Sequence, residues 1–306
     1  MELRKDFYFL KVEKKGFVDS SSIIVIRDSK GLICLEIGGG GEKNIKQTMT
    51  LFEGEDLDIS DIHTVIISHT HADHMGAIAH FQELVPGITV IDHEVDAPFL
   101  KDNTLLNRIF DTDLVPKYFP GKAFDVLDFY AAFCPISESN PDRTVVEGDT
   151  LACGEYIFEV IHTPGHHPGH ISFYERNQRI LFVGDMLGME VPFYTPSSGG
   201  AAGYLQSMQK YQVLEADLII PSHGDLVENT QEVIEDADRK VKQREQRLLE
   251  ALDGNPMTFN EILPKLFRNT NLHIFPGTAI LASHLEKLQK DGIVEEADNR
   301  YRLTGL

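Results

Sequence analysis

Residues 68–76 read SHTHADHMG and carry four groups that seek metal ions: His69, His71, Asp73 and His74. Imidazole and carboxylate are suitable ligands for zinc, iron or manganese. The spacing says how they can be used. HTVIISHTH (63–71) has the β-branched composition of a strand, and GAIAHFQEL (76–84) reads as a helix. The cluster therefore lies where a strand ends and a helix begins. Alternate residues of an extended segment share a face, so His69 and His71 can ligate one ion. Asp73 and His74 come after the chain has turned and can address a second ion nearby.

A metal site needs more ligands, and other strand ends offer them. HTPGHHPGH (162–170) follows the strand YIFEVIHT (156–163). RILFVGD ends at Asp185, and DLIIPSHGD places His223 just past another strand. Each motif sits in a turn bearing Gly or Pro. A lone histidine is usually a packing residue, but candidate ligands at successive strand ends call for a shared purpose. His63, His80 and His93 lie outside these motifs and read as structural. Residues 38–41 are four glycines between a strand and a helix. Without a following G-K-[ST] they read as a tight turn rather than a phosphate cradle.

The elements that must position these groups alternate in type. SSIIVIRD (21–28) and GLICLEIG (31–38) suggest a hairpin, and KNIKQTMTLF (43–52) a helix. Further strands are expected at ITVIDHE (88–94), RTVVEGD (143–149) and ISFYER (171–176), and a helix at GYLQSMQKYQVL (203–214). Paired strands interspersed with helices suit two sheets covered by helices better than one doubly wound parallel sheet. After residue 228 the texture changes. A long helix is expected over 230–252, with Val233, Ala237, Val241, Leu248 and Leu252 on one stripe. TFNE (258–261) is a capping box, 278–292 a further helix closed by Gly292, and 293–304 two short strands about an Asp-Asn turn. That order suggests a small winged-helix module, and the chain divides into residues 1–228 and 229–306.

THADH after a strand, then TPGHHPGH, FVGD and PSHGD, resembles the metallo-β-lactamase superfamily in its major motifs and in their order, over about residues 7–228. The resemblance implies an α/β fold, an αββα sandwich with a two-metal site at one edge, here followed by a small C-terminal helical, winged-helix-like domain. It implies that His69, His71 and His166 hold the first metal, that Asp73, His74 and His223 hold the second, and that Asp185 bridges them. His170 is then structural, and His167 is expected to face solvent.

Two divalent ions about 3.5–4 Å apart can clamp a hydroxide between them and make a nucleophile at neutral pH. Asp73 beside that hydroxide would be the catalytic group that orients it and shuttles its proton. The cofactors expected are two divalent metal ions, zinc first, with iron or manganese also compatible. Asp185 resembles the bridging residue of the glyoxalase-II-like side of the superfamily rather than of true zinc β-lactamases. Glutathione-thioester hydrolases of that side place basic residues after the bridging aspartate. Residues 186–209 contain no Lys or Arg, which disfavours glutathione.

Aromatic residues suggest another substrate. An insert over 95–142 is rich in Phe, Tyr and Pro, and VPFYTP (191–196) follows Asp185 closely. Phe193 and Tyr194, with part of the insert, are expected to wall an apolar pocket suited to an acyl or aryl group, although the insert's phenylalanines taken singly read better as a small local core. A metal-bridged hydroxide acting on a small thioester, ester or lactone is the leading expectation. A two-metal endoribonuclease or phosphodiesterase, a mono-iron oxygenase and a non-catalytic metal binder are the alternatives.

Charge bears on that choice. The chain has 306 residues and a net charge of −20. Residues 229–306 hold 11 of the 28 basic and 13 of the 48 acidic residues, so residues 1–228 carry a net −18 and should repel polyanions. The C-terminal part resembles a subgroup that includes a mitochondrial endoribonuclease and fungal polyketide-carrier thioesterases. Its candidate recognition helix, 278–291, sets Lys287 and Lys290 against Glu286 and Asp291 and lacks a basic face. A small-molecule substrate is therefore expected and nucleic acid is not. Three cysteines, no membrane-length apolar run and no secretory pattern point to a cytoplasmic protein without a membrane partner. Homo-oligomerisation is left open.

Overall fold

A computed structural model describes residues 1–13, 20–188 and 192–305. The strands are β1 (Glu2–Arg4), β2 (Phe7–Leu10), β3 (Ile23–Arg27), β4 (Leu32–Leu35), β5 (Ile62–Ile66), β6 (Thr89–His93), β7 (Arg143–Val145), β8 (Thr150–Cys153), β9 (Tyr156–His162), β10 (Ile171–Glu175), β11 (Ile180–Gly184), β12 (Leu218–Pro221), β13 (Val294–Ala297) and β14 (Arg300–Leu303). The helices are α1 (Glu42–Glu53), α2 (Ala72–Met75), α3 (Ile78–Leu84), α4 (Ala97–Lys101), α5 (Leu106–Ile109), α6 (Leu114–Tyr118), α7 (Val126–Phe133), α8 (Gly200–Gln212), α9 (Thr230–Leu252), α10 (Phe259–Leu266) and α11 (Thr278–Lys290).

Strands β1 to β7 form one sheet in sequence order, and a second sheet runs β12–β11–β10–β9–β8. Pairing is antiparallel from β1 to β4 and parallel from β4 to β7, and β11 and β12 are also parallel. The run IIVI in β3 explains the layering. Strand side chains alternate between faces, and a strand covered on both sides must be apolar throughout. Ile24 and Ile26 meet Phe158, Phe173 and Phe182 of the other sheet in a core between the sheets. Ile23 and Val25 turn the other way and share a core with Phe52 of α1 and Phe81 of α3. On the far side, Tyr174, Leu181 and Ile219 join Tyr204, Met208 and Tyr211 of α8. The result is the helix–sheet–sheet–helix sandwich that the resemblance implied.

Some elements escaped the sequence. β1, β2 and β8 are short, and the insert folds into α4 to α7. In α9 the buried stripe is Ile234, Ala237, Val241, Leu248 and Leu252, with Ile234 taking the place expected for Val233. Both arms of the Thr258–Glu261 capping box are formed. The β13–β14 hairpin turns through Asp298 and Asn299 at φ of 51° and 58°, the left-handed pair that a two-residue hairpin requires. Helix α11 packs on α8 and buries Ile280, Leu281, His284, Leu285 and Leu288, and these C-terminal helices share the core of the sandwich. Among the described residues no helix is long and apolar enough to cross a membrane.

Candidate metal centre

Four strand ends converge at one edge of the sandwich. The loop after β5 is tied to the other sheet, because Ser68 O accepts from Ile171 N at 2.8 Å. His71 O then accepts from His74 N and Met75 N, closing the single turn of α2 that carries Asp73 and His74. The loop 163–170 is closed by Thr163 N donating to His170 O. Gly165, at φ +133°, lies so close to α8 that a Cβ would stand 2.6 Å from the Tyr204 backbone. Only glycine lets that helix press the histidine loop into place. β11 delivers Asp185, and the loop after β12 delivers His223.

The donors fall into two groups whose ligand atoms lie within 4.8 Å of one another: His69, His71, His166 and Asp185, and Asp73, His74, Asp185 and His223. Asp185 belongs to both. Its Oδ2 stands 3.5 Å from His166 Nε2, while its Oδ1 stands 3.4 Å from His74 Nε2 and 3.5 Å from His223 Nε2. His71 Nδ1 and His166 Nε2 are 3.0 Å apart, as are Asp73 Oδ2 and His223 Nε2. Ligands about 2.1 Å from a tetrahedral ion are about 3.4 Å from each other, so these spacings fit metal coordination. His69 Nε2, His74 Nε2 and Asp185 Oδ1 are buried without a hydrogen-bond partner. Orphaned buried donors and acceptors are costly, and a cation coordinated by each group would satisfy the three.

Electrostatics separate the groups. Burial drives the pKa of His69 and His71 well below the ordinary histidine value and that of His166 to about 4. Those rings are neutral and have lone pairs to give. In the second group burial also opposes charge, but Asp185, Asp73 and Glu36 outweigh it and raise His74 well above its usual value. Asp185 and Asp73 likewise raise His223. Burial would raise Asp73 and Asp185, yet the neighbouring histidines hold both carboxyls below the usual range.

Several supporting residues had no motif to announce them. Glu36 is fully buried, with Oε1 3.3 Å from His74 Nδ1, and its φ is +68°. A buried non-glycine residue in that region stores strain of the kind found at functional positions. The one hint was an acid inside the apolar run LICLEIG. Asp96 accepts from Thr70 N at 3.1 Å, and its Oδ1 is 2.8 Å from His167 Nδ1. His167, expected at the surface, is therefore a buried prop for the 69–71 segment, with its Nε2 bonded to the Thr70 hydroxyl at 3.2 Å and its Nδ1 facing the Asp96 carboxylate. His170 is structural. Its Nε2 accepts from Asp185 N at 3.2 Å and its Nδ1 bonds Thr163 Oγ1 at 2.8 Å, which fixes the start of the Asp185 turn. Gly39 and Gly40 lie in a closely packed turn. A Cβ on Gly39 would meet Cys134 Sγ at 2.2 Å, and one on Gly40 would meet Pro135 O at 2.0 Å.

The two aromatics expected to wall a pocket part company. Phe193 packs at the metal edge, 5.5 Å between ring centroids from His166 and 6.4 Å from His71, and its carbonyl oxygen lies 3.2 Å from His166 Nδ1. Tyr194 turns away. It is fully buried, and its hydroxyl bonds His284 Nε2 at 2.7 Å and accepts from Arg244 of α9. Successive residues of an extended loop face opposite ways, so only one of the pair can reach the site. Phe110, one of the insert's aromatic residues, lies 4.8 Å from the His71 ring.

A sandwich with two donor groups sharing one aspartate at its edge defines a class of fold built to hold metal. A family model, the metallo-beta-lactamase superfamily, matches residues 16–223, and the chain belongs to that superfamily. It is similar to the probable metallo-hydrolase YqjP of Bacillus subtilis, with 25% identity over 93% of this chain and 92% of that one. It is 29% identical to the acyl-coenzyme A thioesterase MBLAC2 of Gallus gallus, over 40% of each chain. The crystal structure of a metallo-beta-lactamase family protein from Thermus thermophilus superposes with a TM-score of 0.82, covering 98% of this chain and 99% of that one at 21% identity.

Proposed function

We propose that the chain is a metal-dependent hydrolase of thioesters or esters with an apolar acyl part. In this reading His69, His71 and His166 hold one ion, Asp73, His74 and His223 hold another, and Asp185 spans the two. Zinc is the first choice, since imidazole and carboxylate donors at these spacings suit it. The observation that carries the reading is the division of Asp185, with one oxygen toward each donor group. When bound, such ions polarise a carbonyl and lower the pKa of water from about 15.7 to about 7. Asp73 would hold and pass a proton. Its side chain is 13% exposed against 4% for Asp185, so it faces the open side. Phe193 and Phe110, beside the His166 and His71 rings, supply an apolar environment for the acyl group. The thioesterase activity of the MBLAC2 relative supports the choice of bond.

We further take residues 1–228 as the catalytic unit and residues 229–306 as a module that covers it. Lys287, a cation of the winged-helix-like segment, is already paired with Glu245 and Asp291, which disfavours a nucleic-acid substrate. The test combines metal analysis with a panel of acyl thioesters, lactones and bis-p-nitrophenyl phosphate. The expected outcome is about two ions per chain and hydrolysis of the thioesters. A single bound iron, or turnover confined to the phosphodiester, would overturn the reading.

A further inference from the structure

The aromatic residues of the insert do not form a core of their own. Tyr118 of α6 stacks on Phe259 of α10 at 3.6 Å between ring centroids, and its hydroxyl lies 3.2 Å from that of Tyr301. Phe124 stacks on Phe275 at 4.7 Å. Insert and C-terminal segment thus form one wall, although more than 140 residues of sequence separate these partners.

The order of rings within the wall is informative. From His71, a candidate ligand, the next ring is Phe110 at 4.8 Å. Phe275 follows at 5.9 Å, then Phe129 at 5.8 Å and Phe133 at 5.4 Å. Phe193 flanks the inner end, 5.8 Å from Phe110 and 5.4 Å from Phe275. Burial declines along the row. Phe110 and Phe193 are buried, Phe275 and Phe129 are half-buried, and Phe133 is 52% exposed. The row thus joins the main core at the metal edge and reaches solvent at Phe133, so its outer rings offer apolar surface that leads toward the donor groups.

We propose that these rings form an acyl-binding track and that Phe275, supplied by the C-terminal segment, sets the preferred acyl-chain length. The proposal rests on the hydrolase reading above, since it places the acyl carbonyl at the metal edge and the alkyl chain along the rings. An unbranched acyl chain is the occupant that matches, being apolar, linear and attached at one end to the reacting carbonyl. Four successive ring steps accommodate a medium or long chain, and an acetyl group would reach only the first.

The test uses the full chain loaded with zinc and N-acetylcysteamine thioesters from acetyl to dodecanoyl. Each added methylene should raise kcat/KM by up to about fourfold until the track is filled. Phe275→Ala should lower the decanoyl-to-acetyl ratio of kcat/KM by about tenfold or more, and Phe275→Leu by less. Calorimetric titration with decanoate, using acetate as control, reads the track without turnover. Decanoate should bind wild type and bind at least about tenfold more weakly to Phe275→Ala. Should Phe275→Ala fail to fold, Phe124→Ala, which removes the ring stacked beneath Phe275, takes its place in both assays. If decanoate binds as expected but no thioester is hydrolysed, the track stands and the hydrolase reading falls. If thioesters are hydrolysed with a flat length profile that Phe275→Ala leaves unaltered, the track falls and the hydrolase reading stands.

Discussion

The two donor groups of the metal edge are built on opposite principles. The first comprises three imidazoles, closely packed and neutralised by burial, with one carboxylate oxygen at its border. The second has two imidazoles and two carboxylates, with a third carboxylate, Glu36, behind His74. There the acids override burial and favour positive charge. The groups differ in access as well. His69 is fully buried, whereas His223 is 20% exposed at its side chain. A neutral imidazole set recognises a cation by directed lone pairs, while an acidic set recognises it by charge. The charged half lies nearer solvent, and the neutral half lies deeper against Phe110 and Phe193.

Asp185 is the one residue the halves share, so its loss should have the largest effect. Asp185→Asn keeps the shape and removes the charge. Metal content should fall to about one ion per chain or less, and thioester hydrolysis by at least about a hundredfold. Elemental analysis after gel filtration, with steady-state kinetics on the same sample, checks both. An Asp185→Asn protein that keeps two ions and wild-type turnover would mean that the halves are held independently.

A sharper test separates the halves. Among the described residues the candidate ligand that Glu36 meets is His74, with Oε1 3.3 Å from its Nδ1. Glu36→Gln should weaken metal binding at the second group by about 10–100-fold and leave the first nearly as it was. Chelator competition resolves the two affinities. Equal weakening of both would show that Glu36 acts on the fold rather than on one ligand.

How much of this was legible in the sequence depended on whether a residue's role was local. The candidate ligands stand out because strand ends and turns are local features, and the chain order of the motifs carries the rest. The runs around IIVI and LICL read as a hairpin, which β3 and β4 form, and the Thr258 capping box held because it spans only four residues. What failed to show was pairing over long separation. Glu36 beside His74, Asp96 beneath His167 and Phe275 against Phe124 each join segments that only the folded topology brings together. His167 was misplaced for the same reason, because its partner Asp96 opens the insert some 70 residues earlier. Phe193 and Tyr194 looked equivalent in a short aromatic motif, and the alternation of an extended loop set them facing apart.

The smallest expected effect concerns that alternation. Tyr194 lies where the loop after Asp185 meets the C-terminal helices, with Arg244 donating to its hydroxyl and His284 Nε2 beside it at 2.7 Å. His284 is buried, and burial lowers its pKa, so its ring is a neutral acceptor for the tyrosine proton. Tyr194→Phe removes only the hydroxyl and leaves that acceptor and a guanidinium hydrogen without partners. Orphaned buried groups cost about 1–3 kcal/mol, so denaturant unfolding should show a loss of that order with an unchanged slope. The neighbouring Phe193 carbonyl, 3.2 Å from His166 Nδ1, is held by the same loop. Phe193 is itself packed among Phe110, Phe275 and the His166 ring, and that packing should keep the carbonyl in place after the hydroxyl is gone. Metal affinity of the first group should therefore fall less than that of the second does in Glu36→Gln. A loss of tenfold or more at the first group would show instead that the C-terminal helices hold His166 through Tyr194. The neutral half of the centre would then depend on residues 229–306 as closely as the acidic half depends on Glu36.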